Sequence, residues 1–333
     1  MLAAVANTSA GPLANILLKT DKSADLFANL RHPTIRTPSL PLIDDEENFD
    51  EEENVDDEPT VKCLQDYSPC FCFVNNTNEA MVSCNDVSVE TVRDAFQRVN
   101  HPEIFALLWS SSADATNTIS VPLDFLGNTS VTSVIHITTG NSNYPKLVID
   151  PLALRSSQNS LAKFQVSNVD FGLQKDFNFL KGFDKLEELS ISQIINFTAS
   201  QYLPPSLKKL TVNQCSLDFN QIAFPAKLTE LYLWENEIYD EKADEILTKL
   251  AASTLADSLE VLDLSKNSLT RIPSQVGSAF PKLKRLNLKK NKISNIPSAS
   301  INFASPYLEN LDLSENGIKT IASGAFVGKS FAA

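Results

Sequence analysis

From residue 161 onward one pattern of apolar residues returns at near-regular intervals, and it constrains the fold more than any other feature of the chain. The template L-x-x-L-x-L-x-x-N/C-x-L fits at Leu207-Leu210-Val212-Cys215-Leu217, Leu228-Leu231-Leu233-Asn236-Ile238 and Leu259-Leu262-Leu264-Asn267-Leu269. It fits again at Leu283-Leu286-Leu288-Asn291-Ile293 and Leu308-Leu311-Leu313-Asn316-Ile318. Weaker copies stand at Leu186-Leu189-Ile191 and Leu161-Phe164-Val166, and segments starting near Val131 and Phe105 read as further degenerate turns. First positions at 161, 186, 207, 228, 259, 283 and 308 are spaced by about 24.5 residues on average. A unit this short cannot cover its own apolar face, so copies must stack into one continuous core.

The spacing predicts the local geometry. In L-x-L a strand points both leucines inward, so Leu262 and Leu264 enter the core while Asp263 faces solvent. Each copy then supplies a short parallel strand. Asn236, Asn267, Asn291 and Asn316 share a column in which an inward carboxamide satisfies backbone groups at a bend, because it both donates and accepts. Cys215 stands in the same column as a weak donor, expected to be unpaired and inert. In the long interval between Leu228 and Leu259, EKADEILTKLAASTL sets Ala243, Ile246, Leu247, Leu250 and Ala251 at helical spacing. That copy closes through an amphipathic helix, whereas RIPSQVGSAF and NIPSASINF suit irregular or short helical connections. Period and template are those of leucine-rich repeats. The expected fold is α/β, a leucine-rich-repeat solenoid (horseshoe) with a parallel concave sheet and an irregular or short-helical convex side.

The region before the repeats differs in character. Residues 1–60 lack sustained periodicity, carry Pro33, Pro38, Pro41 and Pro59, and end in an acidic run; they read as a disordered leader with an acidic linker. Residues 44–58 hold 11 acids and no base, which leaves 28 bases against 30 acids elsewhere. A near-neutral body argues against a nucleic-acid partner. The first twenty residues have no basic segment followed by a continuous apolar one and make a poor signal peptide. No apolar stretch approaches the roughly 18 residues of a membrane span. A membrane tether would require sequence beyond this chain. After Ile318 the last repeat is unfinished and no cap follows, so either the sequence is a fragment or something else covers that end. The expected organisation is 1–60 leader, 61–100 stapled cap and 101–333 array, with about seven to nine repeats and an uncapped carboxy-terminal end.

Four of the five cysteines, Cys63, Cys70, Cys72 and Cys84, lie immediately before the array. A solenoid end exposes apolar side chains and unpaired strand groups, so a small stapled cap is required there. Joining Cys70 to Cys72 across one residue is strained, which leaves 63–72 with 70–84, or 63–70 with 72–84. A zinc site fits the C-x-C spacing poorly, since paired C-x-x-C knuckles are usual. The C…C-x-C…C arrangement resembles the amino-terminal cap of extracellular leucine-rich-repeat proteins, and that resemblance implies the first pairing, Cys63 with Cys72 and Cys70 with Cys84. More closely, YSPCFC and MVSCNDVSVETVRDAFQRV are similar to secreted arthropod members of that group. Sequons at Asn7, Asn75, Asn128 and Asn196 accord with secretion, and Asn75, Asn128 and Asn196 are the candidate glycosylation sites.

Catalytic chemistry finds little support. His32, His101 and His136 form no recognisable set with Ser, Cys or Asp, and no phosphate-cradling loop is present. Asp312-Leu-Ser314-Glu-Asn316-Gly317 imitates the start of a calcium loop, yet its twelfth position is Ser323 and the repeat register already accounts for it. No metal, cofactor or catalytic residue is expected. What remains is the concave sheet face. Its outward positions run Ser190, Thr211, Tyr232, Asp263, Asn287, Asp312 and, beside them, Ser192, Asn213, Trp234, Ser265, Lys289, Ser314. Tyr232 and Trp234 are candidate anchors for a protein ligand, with Lys266, Arg285, Lys289 and Lys290 as steering charges. The expected function is extracellular protein binding without catalysis, as an adhesion molecule, receptor ectodomain or accessory subunit. The alternative is an intracellular repeat scaffold regulating a partner enzyme, with reduced cysteines.

Overall fold

A computed structural model describes residues 63, 65–99, 101–111, 118–139, 144–174, 177–196, 202–215, 222–303 and 307–328. The acidic leader, Asn7, His32 and Leu217 lie outside the described residues. In chain order the elements are β1 (Phe71–Val74), β2 (Ala80–Cys84), α1 (Val89–Arg98), β3 (Glu103–Ser111), β4 (Thr118–Val121), β5 (Ser130–Thr139) and β6 (Lys146–Ile149). There follow β7 (Lys163–Asp170), β8 (Glu188–Ile195), β9 (Lys209–Asn213), β10 (Glu230–Tyr232), α2 (Asp240–Ala251), β11 (Val261–Asp263), α3 (Gln275–Ala279) and β12 (Arg285–Asn287). The last are β13 (Asn295–Ile296), β14 (Ile301–Phe303), β15 (Asn310–Asp312), β16 (Thr320–Ile321) and β17 (Phe326–Gly328).

One sheet dominates, ordered β1-β2-β3-β5-β7-β8-β9-β10-β11-β12-β15. Every pair along this path is parallel except β1 with β2, an antiparallel hairpin. The back of each turn varies. β4 pairs β6, α2 and α3 follow, and β13–β16 and β14–β17 form short ladders near the end.

The inward leucines form stacked columns. Leu210, Leu231, Leu262 and Leu286 sit in register on successive strands and are buried, as are Leu233, Leu264 and Leu288. Removing such a side chain from water contributes about 2 kcal/mol. In the turns from β7 to β8 the core turns aromatic, with Phe164 packed edge-on to Phe179 and Phe171 on Phe177 at ring separations of 5.5 and 5.6 Å. α2 buries Ala243, Ile246, Leu247 and Leu250 against this core, while Ala251, at its last position, is half-buried. In the final turn Leu308, Leu311, Leu313 and Ile318 are only partly buried.

The asparagine column stitches one turn to the next. Asn267 Oδ1 accepts from the N–H groups of Asn236 (2.9 Å) and Ile238 (3.0 Å), and its Nδ2 donates to Leu233 O of the preceding turn (2.9 Å) and to Leu264 O (3.0 Å). Asn236, Asn291 and Asn316 likewise reach back to Val212 O, Leu264 O and Leu288 O. The residue before each column position takes a left-handed backbone: Asn168, Gln193, Gln214, Glu235, Lys266, Lys290 and Glu315 have φ between 51° and 61°. Where the column holds Val169 and Ile194 the strands run on past it, pairing Val169 with Ile194 and Asp170 with Ile195. Strands of eight residues in β7 and β8 thus give way to three in β10, β11 and β12.

At the other end Cys63 bonds to Cys72 and Cys70 to Cys84, with Cα separations of 5.6 and 4.4 Å. α1 starts at Ser88, whose side chain accepts from the N–H of Thr91, and buries Val89, Val92, Ala95 and Phe96. Phe96 meets Tyr67 at 5.2 Å, and Trp109 Nε1 of β3 donates to Val87 O at 2.9 Å, tying this region to the first parallel strands. Asn267→Ala would leave two N–H groups and a carbonyl unpaired in the core. Urea denaturation is expected to show a loss of about 2–4 kcal/mol, and clearly less for Asn316→Ala in the half-buried last turn.

Candidate functional site

Register converts the repeat into rows of side chains that cross the open face of the sheet. One row runs Gln165, Ser190, Thr211, Tyr232, Asp263, Asn287, Asp312, and beside it Lys163, Glu188, Lys209, Glu230, Val261, Arg285, Asn310. Adjacent strands stand about 4.8 Å apart and residues two apart on a strand about 6.7 Å, so Tyr232 and Arg285, two strands and one row apart, are separated by roughly 12 Å along the face.

Tyr232 and Trp234 both lie half-buried on this face. Tyr232 Oη donates to Glu230 Oε2 at 2.9 Å, and Lys209 Nζ stands 5.2 Å from its ring centre. Burial first, and then the bond to Glu230 and its charge, hold the phenol well above its ordinary pKa, so it stays a donor at physiological pH. Lys266 Nζ lies 4.9 Å from the Trp234 ring centre and 3.6 Å from Glu235 Oε2. Lys289 pairs with Glu315 at 3.1 Å, and Lys284 with Glu260 at 2.8 Å. The side chains of Arg285 and Lys290 are exposed. Between the aromatics and the last strand, Asp263 accepts from the N–H of Ser265 and from Asn287 Nδ2, each at 2.8 Å. Burial raises the pKa of Asp263 against the pull of those bonds.

Tyr232, Trp234 and Lys266 are therefore brought close together, and Arg285 stands two strands and one row away from Tyr232. Lys266 lies over the tryptophan it was expected to flank, and Lys289 is engaged with Glu315, so both charges already have partners within the chain. A cation resting on an exposed ring contributes about 0.5–1 kcal/mol, a modest barrier to displacement. Lys209 and Glu230 also frame Tyr232, and their only signal in the sequence is position, two residues before Thr211 and Tyr232 on neighbouring strands.

The remaining sequence candidates fall elsewhere. Cys215 is free and buried; its Sγ donates to Asn213 O at 3.1 Å, and its N–H donates to Asn236 Oδ1. Burial pushes the thiol up to about 11, which removes its nucleophilic form at neutral pH. His136 sits half-buried on the open face, 3.5 Å from Ser167 Oγ, its pKa lowered by burial. Asn75 lies in the β1–β2 turn, and Asn128 and Asn196 are exposed. Among the described residues no three His, Cys, Asp or Glu side chains gather to hold a metal ion, and no helix is long and apolar enough to cross a membrane.

Residues 257–302 match the family model described as Leucine Rich repeats (2 copies), and residues 281–330 match the one described as Leucine rich repeat. With the parallel ladder and the asparagine column, these matches define an α/β leucine-rich-repeat solenoid. The chain is 30% identical over 151 residues to tubulin-specific chaperone E of Danio rerio, covering 40% of this chain and 27% of that protein. It is 32% identical over 126 residues to podocan of Mus musculus, covering 36% and 19%. The alignments thus span less than a third of either relative's length. Among solved structures, the Toll–Spatzle complex of Drosophila is similar at a TM-score of 0.41 and 14% identity, across 75% of this chain and 37% of that one.

The chain has two tryptophans, and Trp109 is buried, so acrylamide quenching of fluorescence reads Trp234. Lys266→Ala is expected to raise that quenching while moving the melting midpoint by less than about 2 °C, because an exposed pair contributes little to folding.

Proposed function

We propose that this chain is an extracellular, non-catalytic protein-binding solenoid: an adhesion molecule, a receptor ectodomain or an accessory subunit. The reading is carried by Tyr232 and Trp234, two large aromatics two residues apart on the open face, Tyr232 beside Thr211 and Asp263 of the neighbouring strands, with Lys209 and the ion-paired Lys266 lying over their rings. Such side chains bury much area at low rotamer cost and serve as binding anchors. The ligand is a protein lying across the concave side, anchored by Tyr232 and Trp234 and oriented by Lys266, Arg285, Lys289 and Lys290. The extracellular placement is supported by the two disulfides, since such bonds persist in oxidising compartments. In this reading residues 1–60 are a leader, 61–100 a cap and 101–333 the array, and Asn75, Asn128 and Asn196 are glycosylated. The finer likeness to secreted arthropod members, such as the non-catalytic subunit of a shrimp luciferase, rests on YSPCFC and MVSCNDVSVETVRDAFQRV.

Two measurements test it. Protein purified from its native source without reductant is expected to gain the mass of four hydrogens on reduction; no gain would favour an intracellular scaffold. Against a partner isolated by crosslinking, the Tyr232→Ala, Trp234→Ala double variant is expected to lose at least about 30-fold in affinity with its melting midpoint retained. Full affinity in a folded double variant would remove these anchors.

A further inference from the structure

The hairpin of β1 and β2 carries an apolar surface that no other described element covers. Phe71 is 71% exposed and Phe73 43% exposed; they pair with Ser83 and Met81, and strand parity sets both rings on one face. β1 reads FCFV, with no charge and no proline, the devices that ordinarily keep a sheet edge from pairing with other chains. It is also the terminal strand of the main sheet among the described residues. An exposed aromatic edge of this kind calls for something to lie over it.

Two residues beyond Phe73, on the same face, stands Asn75, the first residue of the sequon Asn75-Asn76-Thr77. The N–H of Asn75 donates to Glu79 O at 3.0 Å, which adds a rung to the hairpin beyond Val74 and Ala80. Asn75 Oδ1 accepts from the N–H of Thr77 (3.0 Å), from Thr77 Oγ1 (2.8 Å) and from the N–H of Glu79 (2.9 Å), while Nδ2 donates to Glu79 Oε2 (2.9 Å). The amide is thus held beside its cross-strand partner, on the side of the hairpin that carries Phe73 and Met81.

Resting on the extracellular reading above, we propose that Asn75 is N-glycosylated and that its first N-acetylglucosamine lies against the Phe73 ring, covering the apolar edge. The transfer forms the Nδ2–C1 bond and breaks the bond from C1 to the diphosphate of a lipid-linked oligosaccharide donor; the amide gives up one proton and the lipid diphosphate leaves. One N–H remains on Nδ2 for Glu79, and Oδ1 keeps its donors. Residues two apart on a strand are separated by roughly 6.7 Å, a gap that a pyranose ring bridges. One face of that sugar presents C–H groups polarised by neighbouring oxygens, and these meet the electron-rich face of an aromatic ring. A branched, hydrated glycan standing on the tip of β1 also keeps other strands from its edge.

The test is a cycle on the full chain secreted from eukaryotic cells, with glycans trimmed enzymatically to the single innermost sugar. Peptide mass is expected to show the sugar on Asn75. Comparing the wild type with Asn75→Gln, and Phe73→Thr with the variant carrying both substitutions, isolates the coupling between sugar and ring. The sugar is expected to raise the melting midpoint by about 2–4 °C with Phe73 in place and by less than about 1 °C with Thr. Should Phe73→Thr not be secreted, Phe73→Leu replaces it, since it keeps apolar bulk without a ring face. An unmodified Asn75 in the secreted protein, or an equal increment with and without the ring, overturns the proposal. Retention inside the cell with reduced cysteines would instead sink the extracellular reading on which it rests.

Discussion

A carboxamide buried at the same position of successive turns is the contact on which this architecture depends. The bend that ends each short strand leaves N–H and C=O groups with no ladder partner, and in a dry interior each such group costs about 1–3 kcal/mol. Asn236, Asn267, Asn291 and Asn316 satisfy them in the turn they belong to and in the turn before. Stacking and hydrogen-bond satisfaction thereby become one event. A turn that slipped out of register would strand its neighbour's backbone groups as well as its own. Cys215 shows the minimum that the position demands: a donor aimed at the preceding carbonyls and a backbone N–H that meets the next asparagine.

Register of this kind carries over to the surface. Because each inward leucine is fixed, each outward residue falls into a row, and Tyr232 stands one strand from Thr211 and Asp263. The face presents a pattern set by the core rather than by a flexible loop. The pattern is also internally compensated. Lys163 pairs with Glu188, Lys208 with Glu187 and Lys284 with Glu260, so the face is polar without a strong net field. Its aromatic pair is then the place on it where burial of apolar area would gain most.

The leucine columns, the asparagine column and the helix of the long interval were legible in the sequence because each rests on a side chain whose chemistry admits one placement. Leu262 and Leu264 have nowhere to go but inward, and the spacing of Ile246, Leu247 and Leu250 fits a helix alone. Features set by the backbone were harder to see. Seven residues enter the left-handed region before the column position, and none is glycine, so no residue type announced them. The long amino-terminal strands follow from Val169 and Ile194, which lack the amide that lets a strand stop. α1 escaped notice because its signal is a serine cap and a single apolar face within a cysteine-rich stretch. In the site, Tyr232 and Trp234 were visible as large outward residues. The lysine lying over Trp234 was not, since it comes from a neighbouring turn and depends on rotamers.

These asparagines lock turn to turn from within the core. Hydrogen exchange of their side-chain amides, followed by NMR on selectively labelled protein, tests it most directly. The Nδ2 protons of Asn236, Asn267 and Asn291 are expected to exchange orders of magnitude more slowly than those of exposed Asn128 and to be released together on global unfolding. Exchange at the rate of Asn128 would contradict the account.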